Sequence, residues 1–133
     1  MIVVDVNVVA YALIAGEKSD LAAQVWEKDS YWLVPSLWRH EFLNILATSE
    51  RTGNLDLETC KRVWRSAVTI LVEGECEVNM PDALTLAAGL EISAYDAQYL
   101  ALAEQAQLPL ITEDCKLRSS APETAVSMQA FVG

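Results

Sequence analysis

The chain has 133 residues, a formal net charge of −10, 53% hydrophobic residues and 21% charged ones. At roughly 100–200 residues per domain, residues 1–133 are expected to form one domain, and this balance excludes a disordered tail. Cys60, Cys76 and Cys115 lie far apart with no C-x-x-C pair, which excludes a zinc ribbon and a disulfide framework and fits a reducing, cytoplasmic compartment.

In chain order, Ile2–Val4 is a short β-branched run ending in Asp5 and reads as a buried strand. The stretch lacks a basic n-region and carries an acid in its middle, so it is not expected to be a signal peptide. No apolar run approaches the ~18–20 residues of a membrane span. A helical pattern from about Val8 breaks near Gly16 and restarts at Ser19/Asp20, expected as the N-cap. Trp32–Val34 is a second strand, closed by Pro35. Leu37, Trp38, Phe42, Ile45 and Leu46 then repeat at helical spacing until Gly53. Asp56 should cap another amphipathic helix with Leu57, Trp64, Val68 and Leu71 on one stripe. Glu73–Asp82 reads as a connection with one short strand near Val78. Helices follow over Ala83–Leu90 and Ala94–Ala106, then a strand over Pro109–Thr112 and a last strand around Ala125–Met128. Short apolar strands alternating with helices predict a three-layer α/β/α fold around a central, mainly parallel sheet.

The charge is unevenly spread. Arg39, Arg51, Lys61, Arg62 and Arg65 are five of the nine cations, against four acids in the same window. Residues 39–65 are therefore net +1 and the remainder −11, which leaves little else to attract a polyanion. Solvated helix faces with pairs such as Glu58–Arg62 would explain the same residues.

Four of the nineteen acids stand out by position. Asp5 and Asp114 follow apolar strands, and ligand sites in open α/β sheets lie beyond strand carboxyl ends. Each could equally cap the helix after it. Glu41 has Leu37, Trp38 and Ile45 around it on the apolar stripe of its helix. A buried carboxylate needs a partner, here a cation, a bound metal or a distant arginine. Asp96 closes the capping-box spacing Ser93-x-x-Asp96 yet borders the apolar Leu100 and Ala103. Clustered carboxylates repel unless a divalent cation sits among them, and an all-oxygen set suits Mg²⁺ or Mn²⁺.

The segments Ile2-Val-Val-Asp-Val-Asn-Val-Val, Leu37-Trp-Arg-His-Glu-Phe-Leu-Asn-Ile-Leu, Ser93-Ala-Tyr-Asp-Ala-Gln-Tyr-Leu-Ala-Leu-Ala and Leu110-Ile-Thr-Glu-Asp-Cys-Lys-Leu resemble the PIN-domain family. Within it, they look like the compact VapC-type ribonuclease toxins. The resemblance covers essentially the whole chain. It implies an endoribonuclease using one or two Mg²⁺ or Mn²⁺ ions, with Asp5, Glu41, Asp96 and Asp114 as catalytic metal ligands and Asn7 and Thr112 supporting them. It also implies a homodimer and a small antitoxin partner, for which the Val8–Ile14 stretch with Leu21, Val25 and Trp26 would offer an apolar groove. Strand alternation turns Glu113 away from Asp114. The chain departs from the family in placing Cys115 before Lys116 and Arg118, where a basic stretch is common, and in its low net charge. If RNA binds, Lys61 and Arg65, four apart on one helix face, are the expected contacts. A PIN nuclease without an antitoxin is one alternative. Another is a haloacid-dehalogenase-type phosphatase, which would want a second Asp where Asn7 stands. A third is a non-catalytic module anchored by Trp26, Trp32, Trp38 and Trp64.

Overall fold

The computed structural model describes residues 1–133. Five short strands, β1 (Ile2–Val4), β2 (Trp32–Pro35), β3 (Glu75–Cys76), β4 (Leu110–Ile111) and β5 (Ala125–Val126), pair in the order β3-β2-β1-β4-β5. Every pair is parallel. Central Val3 lies opposite Leu33 on one side and Leu110 on the other. All of β1, β2 and β4 is buried, as expected of a parallel sheet covered on both faces.

Seven helices fill the connections and an eighth follows β5: α1 (Val6–Leu13), α2 (Ser19–Lys28), α3 (Trp38–Arg51), α4 (Leu57–Leu71), α5 (Met80–Leu90), α6 (Ala94–Ala106), α7 (Cys115–Ser120) and α8 (Met128–Val132). Helices α1–α4 pack among themselves, and α5 packs on α6, which lies along β1, β2 and β4. Strand order runs outward from β1 to β3, then jumps back to β4 and β5. Right-handed crossovers therefore place these two helix groups on opposite faces. The result is the three-layer α/β/α architecture, with a sheet that is parallel throughout. No helix is long and apolar enough to cross a membrane.

Several local expectations are corrected. The third strand is Glu75–Cys76 rather than near Val78, because Asn79 caps α5 by accepting from Asp82 N at 3.0 Å. Helix α5 accordingly starts at Met80, with Pro81 in its first turn. Helix α1 begins at Val6, directly after its cap Asp5. Ser19 and Asp20 do not cap α2; Lys18 holds that position without a side-chain bond, while Ser19 Oγ accepts from Gly16 N and donates to Ile14 O. The last strand stops at Val126 and Met128 opens α8, capped by Ser127. Glu58 pairs with Lys61 at 3.4 Å rather than with Arg62, whose guanidinium donates to Thr59.

Gly74 brings β3 against β2. A Cβ at this position would lie 1.9 Å from the backbone oxygen of Trp32, whereas a Cβ at Gly89 would meet nothing within 4 Å. We predict that Gly74→Ala destabilises the protein by on the order of 3 kcal/mol in urea unfolding, while Gly89→Ala is neutral or stabilising by roughly 0.5–1 kcal/mol. Equal stabilities of the two variants would contradict this account of β3.

Candidate active site

Helices α1, α3 and α7 each follow a strand, so each starts at the carboxyl edge of the sheet. Helix α6 precedes β4 and runs antiparallel to it, so it also starts at that edge. Asp5 and Asp114 are the N-caps of α1 and α7, and Glu41 and Asp96 lie in the first turns of α3 and α6. Strand order reverses between β1 and β4, and ligand pockets of open α/β sheets form beside such a switch point. The four acids expected from the sequence are brought together there.

Asp5 is the most buried of the four. It is 8% exposed, its Oδ1 accepts from Val8 N at 3.0 Å, and its Oδ2 accepts from the hydroxyl of Thr112. Thr112 is fully buried just past β4, and its Oγ1 accepts in turn from Asp114 N at 3.1 Å. This threonine therefore ties the acid after β1 to the acid after β4. Asp114 Oδ1 accepts from Leu117 N at 2.9 Å, and the residue lies exposed at the rim. The capping role and the cluster role coexist, because one carboxylate oxygen suffices for a cap.

Half-buried Glu41 pairs with no lysine or arginine. Its Oε1 accepts from the hydroxyl of Tyr99, 2.7 Å away on α6. Arg39, the nearest arginine in sequence, is engaged with Glu75 through Nε at 2.8 Å. Glu75 also accepts from Trp38 Nε1 at 2.8 Å. Tyr99 was not singled out from the sequence. The available signal was a tyrosine inside the apolar run Tyr99–Ala103, three residues after Asp96, since a buried tyrosine hydroxyl needs a partner.

The acids affect one another's protonation. Burial pushes Asp5 up to about 6, partly countered by the Thr112 and Val8 bonds, with Asp96 and Asp114 adding repulsion. Burial also raises Glu41, which Tyr99 opposes and Asp96 reinforces. Asp96 is raised by burial and then by Asp114. No three acidic, histidine or cysteine side chains converge closely enough to enclose an ion by themselves. The arrangement still suits a hydrated Mg²⁺ or Mn²⁺, which takes few direct carboxylates and keeps several waters.

The other sequence candidates take up different places. Asn7 is exposed on the first turn of α1. Glu113 turns away from the pocket, pairing with Lys18 at 3.5 Å and accepting from Met128 N. His40 and Cys115 are exposed. Lys61 and Arg65 line a groove of about 530 Å³ between α3 and α4, floored by Leu43, Leu46, Leu57 and Trp64, that none of the four acids enters. Trp32 and Trp38 are core residues, which removes two of the four proposed interface anchors. Val8 and Val25, expected in an apolar groove, are also buried in the core.

These features define an all-parallel α/β domain with a carboxylate cluster at its switch point. Residues 2–121 match the PIN domain family, and the chain belongs to that family, which sets the dehalogenase-type alternative aside. It is 27% identical over 130 residues to Ribonuclease VapC3 of Pyrobaculum aerophilum, covering 91% of this chain and 95% of that protein. A crystal structure of a protein from Pyrobaculum aerophilum superposes with a TM-score of 0.78 at 19% identity, covering 98% and 92% of the two chains. FitAcB from Neisseria gonorrhoeae gives 0.72 at 15% identity, covering 97% and 99%. A toxin–antitoxin complex from Klebsiella pneumoniae gives 0.70 at 17% identity, covering 96% and 98%. These structures share the fold.

The raised acids predict a pH dependence. Folding binds the Asp5 proton more tightly than the unfolded chain, at about 6 against 3.8. That contribution is fully present below pH 4 and is lost as pH rises through 6, amounting to roughly 3 kcal/mol at ~1.36 kcal/mol per unit. Glu41 and Asp96 act in the same direction. In EDTA, the melting temperature should be higher at pH 5 than at pH 7.5; the reverse order would mean that the pocket acids ionise freely.

Proposed function

We propose that residues 1–133 form a single nuclease unit, a Mg²⁺- or Mn²⁺-dependent endoribonuclease that serves as the toxin of a VapC-type toxin–antitoxin pair in the cytoplasm. The observation that carries this reading is the convergence of Asp5, Glu41, Asp96 and Asp114 at one sheet edge, with burial and mutual repulsion opposing the charge of three of them. Such a cluster is destabilising until a cation neutralises it. The similarity to a protein named a ribonuclease, and the shared fold with a chain of a toxin–antitoxin complex, support the substrate and partner.

In this reading the four acids hold one or two ions. A bound divalent ion lowers the pKa of its water and offsets charge on the phosphate. Asp5 is held from two sides by Val8 N and Thr112, so it presents a fixed carboxylate at the bottom of the pocket. Thr112 keeps the loop after β4 in register with β1, setting Asp114 relative to Asp5. Asp96 and Asp114, nearer the solvent, form the side from which a phosphodiester enters. None of these side chains needs to become a covalent nucleophile. The exposed Asn7 supports the entrance rather than the floor. A short antitoxin reading frame beside the gene and a homodimeric state in solution are part of the same proposal.

Asp5→Asn keeps the cap on Val8 N and removes one charge. In EDTA near pH 7.5 the variant should be as stable as wild type, or more stable by on the order of 1 kcal/mol. Adding Mn²⁺ should raise the wild-type melting temperature, because the ion binds only the folded site. The variant should lose most of that gain, together with RNA cleavage. A less stable variant in EDTA, with no effect of Mn²⁺ on either protein, would remove the metal-site assignment.

For substrate contact we assign Lys61 and Arg65, in the stretch that holds five of the nine cations. Replacing both with Ala should weaken RNA binding and reduce the slope of log affinity against log salt by about one to two. An unchanged slope would move the RNA path elsewhere and leave the α3–α4 groove to the antitoxin.

A further inference from the structure

Glu41 and Asp96 approach the pocket from opposite layers of the fold, one on α3 and the other on α6. Burial opposes the charge of the Glu41 carboxylate, and repulsion from Asp96 adds to it. Nothing on α3 itself answers that repulsion. His40 is exposed, and Arg39 is turned to Glu75. The one hydrogen bond to the Glu41 carboxylate comes from the Tyr99 hydroxyl at 2.7 Å.

Tyr99 is well placed to act on both acids. It is 2% exposed, and it follows Asp96 by three residues on the same helix, so the two side chains neighbour each other on one face. It belongs to the buried core, so its hydroxyl is a fixed donor rather than a mobile one. The helix that carries Asp96 therefore also carries the group that determines where Glu41 sits.

We propose that Tyr99 is a positioning residue: its hydroxyl holds the Glu41 carboxylate in place opposite Asp96, so that the pair receives a divalent cation without rearranging. This inference rests on the reading of the pocket as a cation site. Carboxylates that ligate metals are commonly oriented by a hydrogen bond behind them, and losing that bond typically weakens metal affinity or activity by about 10–100-fold. Without the hydroxyl, Glu41 would swing away from Asp96 and would have to be recaptured at each binding event.

The test is Tyr99→Phe, which keeps the ring and removes only the donor. Mn²⁺ binding to the full chain, measured by calorimetry and by the electron paramagnetic resonance signal of free Mn²⁺, should weaken about tenfold. The circular dichroism spectrum in EDTA should match wild type. In RNA cleavage at saturating Mn²⁺, kcat should fall while KM for RNA stays unchanged. A double-variant cycle isolates the contact: once Glu41→Gln has weakened binding, adding Tyr99→Phe should change the affinity less than twofold.

Wild-type affinity in Tyr99→Phe would overturn the proposal and leave the metal site standing. So would a full additional loss on the Glu41→Gln background, which would mean that the hydroxyl acts elsewhere. A Tyr99→Phe protein that loses the wild-type spectrum would also overturn it, since the hydroxyl would then be holding the fold. Failure of wild type itself to bind Mn²⁺ would remove the cation site and this inference together.

Discussion

The structure depends most on the burial of one carboxylate, that of Asp5, at the junction of β1 and β4. Removing an ionised acid from water is costly unless something compensates, and two donors, Val8 N and Thr112, answer Asp5 directly. Both are products of the same junction. Val8 belongs to the helix that starts where β1 ends, and Thr112 follows the strand paired with β1. The register of β1 with β4, Val4 opposite Ile111, puts the acid and the threonine side by side. A slip of that register would take Thr112 away and leave Val8 N as the one donor to a buried charge.

Topology explains how three further acids gather around the first. Each sits at a helix start, where unpaired N–H groups and the helix dipole favour negative charge. Four such starts meet at one edge because three helices leave strands there and α6 descends from it toward β4. Each helix tolerates its own acid locally, and the sheet then sums those local preferences into a mutual repulsion. Burial is the main cause of the raised protonation of Asp5, Glu41 and Asp96, and this repulsion adds to it.

Helix α3 shows how distant parts of the chain contribute. Glu75, at the start of β3, accepts from both Trp38 and Arg39 and anchors the first turn of α3 against the sheet edge. The Trp38 ring stacks on Trp64 of α4 at 5.5 Å, and Phe42 lies 6.4 Å from the same ring. This aromatic cluster fixes the rotation of α3 about its axis, which keeps Glu41 on the side facing α6. Gly74 lets β3 approach closely enough for Glu75 to reach.

Much of this was legible in the order of residues. Apolar runs ending in Asp5 and in Thr112-Glu113-Asp114 marked strands whose carboxyl ends carry acids, and the isolated glutamate on an apolar helix stripe announced that Glu41 needed a partner. Helix starts at Asp56 and Ser93 were readable because a capping side chain and its N–H lie within a few residues of each other. The sequence determined these local matters, and with them the parallel α/β class, since strand length, helix period and capping depend on near neighbours. The tertiary structure alone decided that Glu41 is met by a tyrosine 58 residues away instead of by an arginine or lysine. It also decided that the third strand is Glu75–Cys76 and not the segment around Val78, and that Asn7 stays exposed while Thr112 joins two acids. Each of these depends on which elements lie side by side in the sheet, and that pairing is a property of the whole chain that no local window of residues contains.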